Sequence, residues 1–157
     1  LFMAELLNTD EDAVGRMMAD PNASVALSDA GAHLTFFCDA GFGLHLMGHW
    51  SRDLGKLTLE QATHELTAKP ATIYRIPERG EIKAGYHADL LLFDPKTVGR
   101  GPKRRVHDLP GGAPRLTTDA VGVAGVWVNG VQVADAKGPV GAKSDVLPGR
   151  VLRSFGS

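Results

Sequence analysis

Arg79-Gly80-Glu81-Ile82-Lys83-Ala84-Gly85-Tyr86-His87-Ala88-Asp89-Leu90-Leu91-Leu92-Phe93-Asp94-Pro95 divides the 157-residue chain into two parts that read differently. Within it, Gly80 and Gly85 punctuate the backbone, and residues 88–93 read as a strand of the buried type, stopped by Asp94-Pro95. Further on, Val126-Trp127-Val128, Asn129-Gly130 and Val131-Gln132-Val133 predict a hairpin with a type I′ turn, because Asn-Gly accepts positive φ at both central positions. Residues 99–115 are basic and rich in Pro and Gly, which predicts an exposed loop. Before the dividing stretch the rhythm changes. Thr9 is a candidate cap, Asp10, Glu11 and Asp12 fill a first turn, and Ala13, Met17 and Met18 make a stripe, so 10–19 reads as a helix. Ser24-Val25-Ala26-Leu27 is a short apolar run whose length and flanking turn residues favour a buried strand over 24–28. Residues 34–56 read as a long loop with Phe36, Phe37, Phe42 and Trp50 among its glycines. Thr58 and Gln61 form a capping box, and Leu59, Ala62 and Leu66 follow at helical spacing until Pro70, which starts another short turn through 71–74. Helix, strand, loop and helix make a β/α rhythm, and the change to an all-β pattern falls near residues 75–80.

Composition narrows the function classes. Seventeen Lys+Arg against eighteen Asp+Glu leave a net charge of −1, which argues against non-specific nucleic-acid binding. Charged residues are 22% and hydrophobic ones 43%, so the chain can fold around a core. The single cysteine, Cys38, cannot form an internal disulfide, which fits a reducing cytoplasm. No apolar run approaches the roughly 20 residues of a membrane span, and no secretory leader is visible. The chain opens Leu1-Phe2-Met3 and runs straight into an apolar stretch, as the middle of a longer protein would.

Asp29 is the sharpest chemical candidate. A carboxylate just past the C-terminal end of a buried strand sits where α/β barrels keep their active sites. There it could ligate a metal through oxygen or act as a general base on water. The same Asp before Ala30-Gly31 also suits a plain turn. His33, His45 and His49 share one loop, and a helical turn would bring His45 and His49 to one side. Their spacing lacks the Glu of the zinc-protease motif, and polar surface is the plainer reading. Cys38 has no positive neighbour to stabilise a thiolate and reads as a small hydrophobe. Lys103-Arg104-Arg105, with Arg100 nearby, reads as a solvated loop, because no aromatic residue interleaves it.

Taken together, three stretches resemble the C-terminal part of the amidohydrolase superfamily, in its N-acyl-D-amino-acid deacylase branch. Leu27-Ser28-Asp29-Ala30-Gly31-Ala32-His33 is similar to the end of the last barrel strand. Leu57-Thr58-Leu59-Glu60-Gln61-Ala62, through Thr67-Ala68-Lys69-Pro70-Ala71, is similar to the helix that follows. The 79–95 stretch resembles the family's G-x-I-x-x-G-x-x-A-D-L segment, and Val126-Trp127-Val128-Asn129-Gly130 its closing hairpin.

The resemblance implies an α/β fold: the C-terminal part of a (β/α)8 TIM-like metallohydrolase barrel over 1–77, plus the C-terminal share of a small β-sandwich subdomain over 78–157. A complete barrel takes about 250 residues, so the chain is expected to be inactive alone. The implied activity of the whole enzyme is hydrolysis of the amide C–N bond of N-acyl-(D-)amino acids or similar small amides. Cyclic-amide hydrolysis of the dihydropyrimidinase or dihydroorotase kind, and a non-catalytic β-rich binding domain, are the alternatives. The implied cofactor is zinc, with most ligands outside this chain, and Asp29 is expected both to ligate it and to shuttle the proton. His33 is expected against the substrate, and Asp89 is expected to tie down a turn or strand end. Expected partners are the small-molecule amide, the missing N-terminal part, and a second copy covering apolar surface at 24–28, with no nucleic acid and no membrane. One departure stands out: residues 30–51 hold no Arg, the first being Arg52, so the deacylases' grip on the substrate carboxylate has no counterpart there. Phe36, Phe37, Phe42 and Trp50 suit a more apolar lid.

Overall fold

The computed structural model describes residues 8–26, 28–36, 38, 40–140 and 147–155. Four short α-helices come first: α1 (Glu11–Met18), α2 (Phe42–His45), α3 (Leu59–Leu66) and α4 (Ala68–Ile73). A π-helix, Leu46–Asp53, continues α2. Eight strands follow: β1 (Leu90–Phe93), β2 (Gly99–Arg100), β3 (Arg104–Val106), β4 (Arg115–Thr117), β5 (Ala120–Val121), β6 (Val123–Val128), β7 (Val131–Asp135) and β8 (Gly138–Pro139). The fold is mixed α/β.

Local chemistry sets the helix ends. Asp10, rather than Thr9, caps α1: its carboxylate accepts from the Asp12 and Ala13 amides at 2.9 and 3.0 Å. Met17 is half exposed, and the turn buries Gly15 instead, against Lys56. The capping box on α3 forms as the sequence implies, with Thr58 and Gln61 bonded reciprocally at 2.8 and 3.2 Å.

Residues 42–53 coil where a loop was expected. Leu46, Met47 and Trp50 recur at helical spacing, and that apolar face is stronger than the turn preference of the glycines. Gly48 is needed for the packing: a Cβ there would lie 2.6 Å from the Val98 carbonyl oxygen. Leu46, Met47, Leu57, Ala62 and Val98 form the buried core, so it draws on both sides of residue 77.

Strands β1, β6, β7 and β8 make one antiparallel sheet in that order. Asn129 (φ 48) and Gly130 (φ 79) turn β6 into β7 in the left-handed pair a type I′ turn requires. β1 begins at Leu90 because Ala88 and Asp89 are engaged by that turn: Gly130 N–H donates to the Ala88 carbonyl and Asn129 N–H to Asp89 Oδ1, at 2.9 and 2.8 Å. The strand is not buried as expected. It lies at the sheet edge, and Leu90, Leu91 and Leu92 are 37, 43 and 56% exposed. The expected strand over 24–28 is also absent. Residues 24–26 and 28 pair with no strand, since a barrel-type strand needs neighbours that the described residues do not supply, and Leu27 lies outside them.

Residues 99–115, expected as a loop, instead carry β2, β3, a 3₁₀ turn (Pro110–Gly112) and the first residue of β4. β3 and β4 pair as a two-stranded arm, mostly exposed along β3 and half-buried along β4. Arg115 holds Asp108 at 2.6 and 2.7 Å, and Arg104 holds Asp119 at 2.8 and 3.0 Å. These guanidinium bonds keep both carboxyls below the ordinary carboxylate range. A depressed folded-state pKa adds stability above the unfolded value, lost as pH falls through the folded one. The amides of 104–117 are therefore expected to keep their exchange protection from neutral pH down to about pH 4 and to lose it below. Hydrogen exchange read by NMR checks this; loss of protection nearer neutrality would contradict it.

Candidate functional site

Asp29 comes after residues 23–26, which belong to no helix or strand, and opens a succession of turns. The Ala32 amide donates to the Asp29 carbonyl at 3.0 Å, and the Ala30 amide to Ser28 Oγ at 3.3 Å. Asp29 is exposed, and its carboxylate has no hydrogen-bond partner among the described residues. His33 is also exposed and stands in the left-handed region at φ 49, a conformation that costs a non-glycine residue about 1 kcal/mol or more. Its ring stacks on Phe36 at 5.1 Å, and its carbonyl accepts from the Phe36 amide at 3.0 Å.

Both ends of this segment are tied to distant parts of the chain. At its start, Lys69 Nζ donates to the Ala23 carbonyl. Glu65, one turn earlier, holds the same ammonium at 2.7 Å, with side chains only 11% and 15% exposed for Glu65 and Lys69. At its end, the Leu116 amide of β4 donates to the Leu34 carbonyl at 2.8 Å. None of these ties is visible in the sequence pattern, because each joins elements that are 46 or more residues apart or sits on an unremarked i, i+4 pair.

The histidines separate into two groups. His45 and His49 stack at 4.7 Å and 7°, as a helical turn requires, and Trp50 meets both edge-on. His49 Nε2 lies 2.8 Å from Glu11 Oε1. Trp50 also packs on the core, which removes it from an apolar lid, and Phe37 lies outside the described residues. Cys38 is buried at 5%, in keeping with the small-hydrophobe reading.

Zinc takes three or four ligands from His, Cys, Asp or Glu. Among the described residues no three such side chains come together. Asp29 fits as one exposed oxygen donor, but the described residues do not by themselves make a metal site.

Arg52 is committed elsewhere: it grips Asp53 at 2.8 and 3.2 Å and also donates to the Val98 carbonyl. Its hydrogen bond holds the Asp53 carboxyl below the ordinary range. A polar cleft of about 370 Å³ lies beside it, lined by His45, His49, Arg52, Arg100 and Lys103. A larger apolar groove, about 890 Å³, runs between Leu66, Pro70 and the exposed leucines of β1. Neither recess is lined by Asp29 or His33.

Asp89 performs the structural work expected of it. Together with its bond to Asn129 N–H, it pairs with Arg79, whose Nη2 donates to Asn129 Oδ1 at 3.2 Å. Arg79 is the residue that sequence reasoning missed in this cluster. Its charge within the dividing stretch was the available signal. Among the described residues, no helix is long and apolar enough to cross a membrane.

A model of the amidohydrolase family matches residues 4–134. A D-aminoacylase of Alcaligenes xylosoxydans xylosoxydans is 38% identical over 88 residues, which cover 56% of this chain and 16% of that protein. An N-acyl-D-aspartate deacylase of the same organism is 38% identical over 104 residues, 62% of this chain and 19% of that one. The crystal structure of the N-acyl-D-glutamate deacylase of Bordetella bronchiseptica, complexed with zinc and a phosphonate mimic of the tetrahedral intermediate, superposes with a TM-score of 0.56 at 37% identity. That likeness covers 73% of this chain and 21% of the deacylase. The chain spans about a fifth of the length of these proteins.

Proposed function

The chain belongs to the amidohydrolase family, and from that membership we propose that it is the C-terminal part of a metal-dependent hydrolase cleaving the amide C–N bond of N-acyl-D-amino acids or similar small amides. Residues 1–77 then complete the barrel, and 78–157 contribute to the small β-subdomain. The observation that carries the reading is the Asp29 carboxylate, exposed and without a hydrogen-bond partner among the described residues, at the head of a turn in the segment that resembles the last barrel strand.

The chemistry is addition of water across the amide. Water oxygen bonds to the acyl carbon, the C–N bond breaks, and the nitrogen leaves with a proton. Asp29 takes the proton from the attacking water and delivers it to the departing nitrogen. Zinc, when bound, lowers the pKa of water and polarises a carbonyl. Asp29 offers it one oxygen ligand, and the other ligands belong to parts of the protein outside this chain. His33, two turns on, lines the substrate side. Because Arg52 is spent on Asp53 and Val98, the substrate's carboxylate is held by a group other than the first Arg after Asp29.

The full-length zinc-loaded protein should hydrolyse N-acetyl-D-methionine and leave N-acetyl-L-methionine and dihydroorotate essentially untouched. Amine release from the two N-acetyl-methionines, and ring opening of dihydroorotate to its N-carbamoyl amino acid read by mass spectrometry, measured in parallel, decide it. Turnover of dihydroorotate alone would move the protein to the cyclic-amide hydrolases, and turnover of none would leave a binding role.

A further inference from the structure

We infer that the polar cleft between the π-helix Leu46–Asp53 and β2 is a binding site for a phosphate group, held by Arg100 and Lys103. The cleft begins as one face of a helix. His45, Gly48, His49, Arg52 and Asp53 recur at helical spacing and line it, while Leu46 and Met47 turn to the core. The coil is π-helical from Leu46, and π turns are rare and frequently lie at functional sites. The opposite wall is residues 99–103, where Gly99, Gly101 and Pro102 keep side-chain bulk low. The two walls are joined within the described residues: Arg52 donates to the Val98 carbonyl, and Val98 shares the buried core with Leu46 and Met47. They do not wait on what the rest of the protein adds.

Charge selects the ligand. The basic stretch that reads as a solvated loop divides in the structure. Arg104 is spent on Asp119 and Arg115 on Asp108. Arg100 and Lys103 line the cleft, and neither side chain has a hydrogen-bond or ion-pair partner among the described residues. Asp53 is the carboxylate in the lining, and Arg52 takes both its oxygens. Arg52, Arg100 and Lys103 against Asp53 leave two positive charges in excess with the histidines neutral. A phosphate dianion cancels that excess, and a carboxylate cancels half of it. Arg100 is also held in place. Its stem packs on Gly41, where a Cβ would stand 3.2 Å from Arg100 Cγ. A guanidinium on a fixed stem offers paired N–H groups to two oxygens of one anion, and the Lys103 ammonium serves as a point charge for another. The cleft volume, about 370 Å³, leaves room for a small group esterified to the phosphate.

The test uses the full-length protein just above neutral pH and at fixed ionic strength. It is titrated calorimetrically with inorganic phosphate, glycerol phosphate and acetate, with chloride making up the balance. Phosphate or its ester is expected to bind at least about tenfold more tightly than acetate. Arg100→Met, which keeps the stem on Gly41, is expected to weaken that binding about tenfold or more, the scale of lost charged hydrogen bonds. Arg100→Lys should lose less. The exposed Lys103→Met should weaken binding severalfold without moving the melting temperature, and it carries the comparison if Arg100→Met does not fold. Tighter binding of the free ion or of the ester supports the site in either case and tells which form it takes. No binding of either by the full-length protein, as when another segment covers the cleft, would overturn the inference. So would binding no tighter than that of acetate, or binding unchanged in both methionine variants, as at a zinc ion. The inference does not rest on the reading of Asp29.

Discussion

Asp29→Asn in the full-length enzyme is expected to lower kcat by about 10²–10⁴-fold, the contribution of a positioned acid–base group. The melting temperature of the zinc-free protein should hardly move. The side chain is exposed and makes no hydrogen bond among the described residues, so nothing in the described fold depends on its charge. Substitutions of that kind usually stay within about 0.5 kcal/mol. The amide keeps the shape of the carboxylate but cannot take a proton from water, and it is a poorer oxygen ligand for zinc. KM is expected to change less than kcat, because the loss falls on the transition state. Steady-state kinetics beside a thermal melt make the comparison. A variant retaining wild-type kcat would remove Asp29 from the chemistry.

The opposite signature is expected for Asp89→Ala: a large loss of stability from a residue that touches no substrate. Asp89 pairs with Arg79, whose side chain is only 15% exposed, and accepts from the Asn129 amide. Removing the carboxylate leaves a mostly buried guanidinium without its counter-charge, and Arg79 Nε is already buried without a partner. Breaking a fully buried pair costs about 3–5 kcal/mol; Asp89 is itself 35% exposed, so water recovers part of that, and about 2–3 kcal/mol is expected. The midpoint of urea unfolding should fall accordingly, and Asp89→Asn, which keeps an acceptor for Asn129 N–H, should fall less. A midpoint unchanged in Asp89→Ala would mean that Arg79 finds another partner. Set beside Asp29→Asn, the two variants are expected to separate the carboxylate proposed to act on substrate from the one that holds the chain.

What was legible in the sequence was local. Thr58 and Gln61 lie three residues apart, and the cap they predict forms. Asn129-Gly130 carries its own backbone preference, and the turn follows. Leu90 to Phe93 is a strand, because β-branched or aliphatic runs ending in Asp-Pro have few alternatives. What was not legible depends on partners far along the chain. The run at 24–28 has strand character only if strands on either side receive it. The leucines of β1 read as buried because apolar runs usually are, yet burial is a property of whatever covers the strand. The coil over 42–53 was hidden by its glycines, although Leu46, Met47 and Trp50 carried the helical spacing. The place of Asp29 after an apolar run is what suggests it as a candidate, and the ties of its segment to Lys69 and Leu116 were not legible.

The meeting of Asp89 with Asn129 has one more consequence. Inside that meeting, the Asp94 amide donates to the Gly122 carbonyl at 2.8 Å, so the excursion between them leaves and returns at nearly one point. A segment whose two ends are pinned together elsewhere can grow or shrink cheaply, since doubling a closed loop costs only about 0.6 kcal/mol of chain entropy. The β3–β4 arm is therefore a cassette on a fixed socket. Its tip, residues 109–114, can lengthen or shorten without disturbing the sheet, whereas Leu116 is held by the Leu34 carbonyl.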